Sequence, residues 1–144
     1  LPTPYYNGSH VELRNRVRKF VDTELRPYVD EWEEKCATQG FEVDAYTLAQ
    51  KAVKAGIFAP MIDAKLGGTP LPNGVKFDTF HDLVWIDELS RTGASGLIAG
   101  ITIWTMALPP ILNFGSQYLI DKVAKPVLRG EKMISLCISE PFAG

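Results

Sequence analysis

Two cysteines, two histidines and no block of like charge is a sparse inventory for a 144-residue chain, and each shortage removes a class of function. Cys36 and Cys137 lie far apart and lack the spacing of a metal knuckle, so they read as reduced thiols of an intracellular protein. His10 and His81 have no second His or Cys at ligand spacing, which predicts solvated or core histidines and no metal site. Fifteen basic against 17 acidic residues, with no Lys/Arg cluster, argues against a nucleic-acid partner.

Other signatures are missing too. The opening "LPTPYYNGSH" has neither a charged n-region nor an apolar h-region, so it does not read as a signal peptide. The sequon Asn7-Gly8-Ser9 then reads as chance. The longest apolar run, residues 96–112, is broken by Thr102, Thr105 and Pro109-Pro110 before it reaches the ~20 residues of a span. It is expected to be a core helix rather than a membrane segment. There is no Walker loop and no dinucleotide fingerprint. Gly93-Ala94-Ser95-Gly96 lacks the final glycine and the preceding strand of a nucleophile elbow.

What is present is helical periodicity. Leu13, Val17, Phe20, Val21, Leu25, Tyr28 and Trp32 recur at steps of three and four, an apolar stripe entered through a Ser9…Glu12 capping box and kinked at Pro27. A second helix is predicted from Asp44, with Leu48, Ala52 and Ala55 inward and Gly56 as its stop. Residues 65–74 are loop. A third helix runs over 78–91 with Phe80, Leu83, Ile86 and Leu89 inward, stopping at Gly93. A fourth covers 94–108 and ends at Pro109-Pro110. A short fifth, capped by Ser116, is bounded by Pro126.

The period changes only in "KMISLCIS". Met133, Ser135, Cys137 and Ser139 share one face, and Ile134, Leu136 and Ile138 the other, which predicts one strand. A lone strand leaves its backbone groups unmet, so the rest of its sheet is expected in a missing segment. The fold class is therefore all-α, an up-and-down bundle of about five helices, with residues 1–132 as a helical domain and 133–144 as the first strand and turn of a truncated β-domain.

At the end of that strand stands Ser139-Glu140-Pro141-Phe142-Ala143-Gly144. It offers strand amides, a hydroxyl and a glycine-closed turn, an edge suited to a flat polar heterocycle. An ordinary strand-to-turn junction has the same ingredients. The stretch resembles the flavin-contacting motif of the acyl-CoA dehydrogenase family, commonly Thr-Glu-Pro-Gly-Ala-Gly. The likeness extends over nearly the whole chain, in order: residues 12–33 ("ELRNRVRKFVDTELRPYVDEWE"), 52–68 ("AVKAGIFAPMIDAKLGG"), 86–95 ("IDELSRTGAS") and 109–133 ("PPILNFGSQYLIDKVAKPVLRGEKM").

The resemblance implies an N-terminal helical domain that precedes a middle β-domain and a C-terminal four-helix domain, in an enzyme that uses FAD on an acyl-CoA-like substrate. By position, Leu136, Cys137, Ile138, Ser139 and Gly144 would meet the flavin. Ile98, Ile101, Trp104 and Thr105 would line the acyl pocket, although plain core packing explains them equally well. The catalytic carboxylate would lie in the C-terminal domain, so no residue of this chain is assigned as catalytic, and Glu140 is expected only to fix the turn. Ser139 stands for the common Thr and Phe142 for the usual Gly. The complete protein is expected to be a soluble, intracellular homo-oligomer, with mitochondrion, peroxisome and cytosol all open. Acyl-CoA oxidase and nitroalkane oxidase members share the scaffold, and a non-catalytic helical interaction module is the competing class.

Overall fold

The structure is a computed structural model that describes residues 3–142. The first helix, α1 (Gly8–Phe20), opens at Asn7 rather than Ser9. Asn7 has extended backbone and its side-chain oxygen accepts from Ser9 N–H, while the His10 ring closes a capping box on the Asn7 N–H. The expected Ser9–Glu12 box fails because Ser9 already lies inside the helix. A π turn (Val21–Leu25) continues α1. Leu13, Val17, Phe20, Val21 and Leu25 are all buried, as the stripe predicts, whereas Tyr28 is exposed. α2 (Val29–Gln39) follows Pro27 and closes on Gly40 in the left-handed region.

α3 (Ala45–Lys54) is capped by Asp44 and stopped by Gly56 at φ +67°. Residues 55–78 form the loop, tightened by two 3₁₀ turns, Ala64–Leu66 and Pro72–Gly74. Within it the Ile57 carbonyl accepts from the buried Trp85 indole. α4 (Thr79–Ser90) begins at Asp78 and packs along α1.

The inward face of α4 differs from the predicted one. His81, Val84, Trp85, Glu88 and Leu89 are buried, while Phe80, Leu83 and Ile86 are 38%, 52% and 40% exposed. Polar groups explain the choice. Glu88 is fully buried because Arg18 donates to it twice, at 2.9 and 2.6 Å, and Arg91 once, at 3.1 Å. A helix apolar on both sides orients by which polar residues find partners inside.

α5 (Ser95–Thr102), α6 (Trp104–Ala107) and α7 (Pro109–Phe114) form one nearly continuous run. The two prolines do not end it. They occupy the first positions of α7, where an N–H is not needed, and Leu108 stays right-handed helical with its N–H bonded to Trp104 O. By length and composition the run of 20 residues could cross a membrane. One face, Ile98, Ile101, Trp104, Ala107 and Leu108, is instead buried against the protein core.

α8 (Gln117–Leu119), a second π turn (Ile120–Ala124) and α9 (Lys125–Leu128) complete the helices. Pro126 lies inside this stretch rather than bounding it. Each π turn stops two residues short of a proline, and the residue between is bonded back: Arg26 N–H donates to Val21 O, and Lys125 N–H to Ile120 O. At Pro126 the helix runs on into α9, whereas at Pro27 a turn over residues 26–28 separates the π turn from α2. The core joins the α1 stripe to Leu48 and Ala52 of α3, Trp85 and Leu89 of α4, Ile98 to Leu108 of α5 and α6, and Val127 and Leu128 of α9.

Candidate functional site

The segment that carries the sequence motif is launched by a left-handed turn. Gly130, at φ +70°, follows α9; its N–H donates to Val127 O and the next N–H, of Glu131, reaches back to Pro126 O. This is the paired bonding of a Schellman stop. A Cβ on Gly130 would sit 3.1 Å from Gln50 N and 3.2 Å from Ala49 C, so the turn is pressed against α3. Ile134 packs on the core, and beyond it the chain is exposed. Leu136 is 38% and Ile138 75% exposed, and Cys137, Ser139 and Glu140 also face solvent.

Residues 133–139 carry no strand. The predicted strand needs a ladder, and between 133 and 139 no backbone hydrogen bond reaches another described residue. Leu136, Cys137, Ile138 and Ser139 thus leave the helical body together, with backbone groups and one hydroxyl unpaired among the described residues, and the first sign of pairing is a single β-bridge position at Glu140. Gly144 lies outside the described residues. Cys36 and Cys137 are both free thiols.

The four candidate acyl-lining residues do not share one cavity. Trp104 and Thr105 border a cleft of about 430 Å³ between α4, α6 and α7, closed by Met61, Ile62 and Leu112 and edged by Asp82. Ile98 fronts a smaller cavity beside Ser90 and Thr102. Ile101 opens on a third, apolar one of about 630 Å³ between α2, α3 and α5, with Trp32, Leu97 and Gly100. Trp104 stands out chemically. It is 4% exposed, tilted against Phe58 and Trp85, and its indole N–H has no acceptor among the described residues. A buried donor left unmet costs roughly 1–3 kcal/mol, so this one calls for an acceptor.

Sequence spacing missed one cluster. His10 and His81, 71 residues apart in sequence and each within 2% of full burial, stack with ring centroids 3.8 Å apart and planes 22° from parallel. The Asp78 carboxylate joins them, Oδ1 lying 3.0 Å from His10 Nε2 and 2.8 Å from His81 Nδ1. The hydrogen bond from His10, then the backbone N–H of His81, hold the Asp78 carboxyl well below the usual carboxylate range. One possible ligand atom from each residue falls within 4.8 Å of the others. Near-parallel stacked rings point their in-plane lone pairs side by side, which is a poor geometry for convergence on one metal ion. Both Nδ1 atoms also accept a backbone N–H, from Asn7 and Asp78 respectively. The only sequence signal was the repeated pattern Asn7-x-x-His10 and Asp78-x-x-His81.

Comparison with known proteins fits this architecture. The family model described as acyl-CoA dehydrogenase, N-terminal domain, matches residues 7–131. An acyl-CoA dehydrogenase of Alternaria alternata is 32% identical over 149 residues, covering 96% of this chain and 33% of its own length. One from Emericella nidulans is 32% identical over 150 residues, covering 100% and 34%. Among solved structures, one assigned as an acyl-CoA dehydrogenase from Mycobacterium smegmatis superposes with a TM-score of 0.79 at 29% identity, over 99% of this chain and 34% of that one. The chain spans about a third of the length of the relatives it matches. With its helical fold and a family match across residues 7–131, this chain belongs to the acyl-CoA dehydrogenase family, in the part that forms the N-terminal helical domain.

Proposed function

We propose that this chain is the N-terminal part of an FAD-dependent oxidoreductase that acts at the α,β carbons of an acyl-CoA-like thioester. The observation that carries this reading is the segment after Gly130. Leu136 to Ser139 project from the helical body, and their backbone groups bond to no other described residue. A β-domain elsewhere in the polypeptide would pair one edge of the segment, leaving directed donors and acceptors for the flavin.

The donor set fits the cofactor. Backbone groups of Leu136, Cys137 and Ile138 and the Ser139 hydroxyl suit the polar edge of a planar heterocycle. Gly144, by the motif, would complete the turn. FAD, when bound, supplies the hydride acceptor. The chain's own residues would orient the ring and donate a hydrogen bond from Ser139 Oγ to its polar edge, where negative charge grows during reduction. The base that removes the α-proton would come from another domain, as would the remaining contacts with the cofactor and the surfaces of a homo-oligomer.

For the acyl group we favour the cleft of Trp104 and Thr105, because it joins two of the four candidate residues. Ile98 and Ile101, each on a separate cavity, would act as its supporting wall. The test is direct: purify the complete polypeptide, record its visible spectrum, and add a panel of acyl-CoA thioesters without oxygen. A bound flavin that bleaches with an acyl-CoA supports the reading. A colourless protein, or a flavin inert to the whole panel, overturns it.

A further inference from the structure

The capping boxes of α1 and α4 are interlocked. Each helix has a polar N-cap and a histidine three residues on, Asn7 with His10 and Asp78 with His81. Each histidine closes its own box through Nδ1 and reaches the other helix through Nε2. His10 Nε2–H donates to Asp78, the cap of α4. His81 Nε2–H donates to Ser9 Oγ in α1 at 2.9 Å, and that hydroxyl donates to Asn7 Oδ1 at 2.6 Å. With both rings neutral and protonated at Nε2, each of these bonds has a donor and an acceptor, and the Nδ1 lone pairs are left beside Asn7 Oδ1 at 3.0 Å and Asp78 Oδ1 at 2.8 Å.

We propose that His10, His81 and Asp78 form an acid-released clasp between α1 and α4, which accepts one proton and opens on the second. The first proton has a place. On His81 Nδ1 it would face Asp78 Oδ1 at 2.8 Å and turn a close contact into a charge-assisted hydrogen bond, in exchange for the longer bond that Nδ1 accepts from Asp78 N–H at 3.2 Å. The second has none. Two imidazolium rings would be stacked at 3.8 Å, both shielded from water, with one carboxylate between them. The other groups facing the pair are Tyr6, stacked on His10, with the Arg14 guanidinium over its ring, and Phe77 and Phe80. None adds a negative charge. Acid release would free the first turn of α1 and the residues before it, while Leu13 to Leu25 stay anchored in the core.

Hydrogen exchange read by mass spectrometry on the complete polypeptide tests the clasp, at about pH 7.5 and about pH 5, with labelling times scaled for intrinsic exchange. Peptides from the first turns of α1 and α4 are expected to lose protection by about tenfold at the lower pH, with peptides of α9 unchanged. In His10→Gln/His81→Gln the pH-dependent loss is expected to vanish, because glutamine closes a capping box and does not titrate. Equal protection of the wild type at both pH values overturns the proposal, as does an equal loss in the double variant. If that variant does not fold, the wild type still decides, because a loss shared equally by the α9 peptides also overturns it.

Discussion

Arg18 and Glu88 form a two-bonded ion pair across α1 and α4, at 2.9 and 2.6 Å, with the carboxylate wholly buried and the guanidinium about half exposed. Burial pushes the Glu88 carboxyl up, but hydrogen bonding and charge from Arg18, with help from Arg91, outweigh it and hold it below the ordinary glutamate range. A lowered carboxyl contributes stability above the unfolded-state pKa, and that stability is lost as pH falls through the folded value. Glu88→Gln is expected to cost about 2–3 kcal/mol in urea unfolding at neutral pH, at the low end for a broken buried pair because Arg18 stays hydrated. The difference from wild type should shrink toward acid pH. A difference independent of pH would show that the charge contributes nothing.

Gly130 fixes where the exposed segment leaves α9. An alanine there meets two obstacles, the positive φ and the α3 backbone at 3.1–3.2 Å. Gly130→Ala is expected to lose about 2 kcal/mol of stability. In the complete polypeptide it should weaken retention of the proposed flavin more than Gly93→Ala, whose added Cβ meets nothing nearby. Equal effects on flavin would separate the turn from the site.

Trp104 carries a donor without an acceptor among the described residues. Trp104→Phe removes the indole N–H, so its stability without ligand should stay within about 1 kcal/mol of wild type, the relief of the unmet donor offsetting the lost volume. Trp104→Ala should lose about 3–5 kcal/mol. Acyl-CoA preference should shift in Trp104→Phe. An unchanged profile across chain lengths would remove Trp104 from the substrate cleft.

Much of the helical domain was legible because apolar spacing and end signals agreed. The α1 stripe is buried from Leu13 to Leu25, Asp44 and Asp78 cap α3 and α4, and Gly56 and Gly93 stop their helices in the left-handed region. The misreadings share a cause, in that bonds outside the apolar pattern decided them. Glu88 turned α4 over because two arginines from outside its own apolar pattern reach it. Pro126 failed to bound a helix because a π turn upstream had already rearranged the bonding. His10 and His81 looked unrelated because their contact depends on α1 and α4 starting side by side. At the candidate flavin segment the residue pattern was readable, but a strand exists only with its neighbour, and residues 133–139 have none among the described residues.

The 144-residue chain alone holds one wall of the proposed flavin site. Purified with excess FAD and passed through gel filtration, it is expected to emerge colourless and inactive, because the contacts it lacks remove several kcal/mol of binding. Stoichiometric flavin in the protein peak would mean that the site is complete within this chain.

Ser139 gives the most direct test of the central claim that the segment after Gly130 is a flavin wall. Ser139→Ala in the complete polypeptide removes one hydroxyl and little volume, and Ser139→Thr keeps the hydroxyl and adds a methyl. Stopped-flow bleaching of the flavin by acyl-CoA should be slower for Ala, with weaker flavin retention and a lower potential, on the order of 1–3 kcal/mol in total, and near wild type for Thr. Wild-type bleaching in both variants would contradict the account and leave Ser139 an ordinary exposed serine.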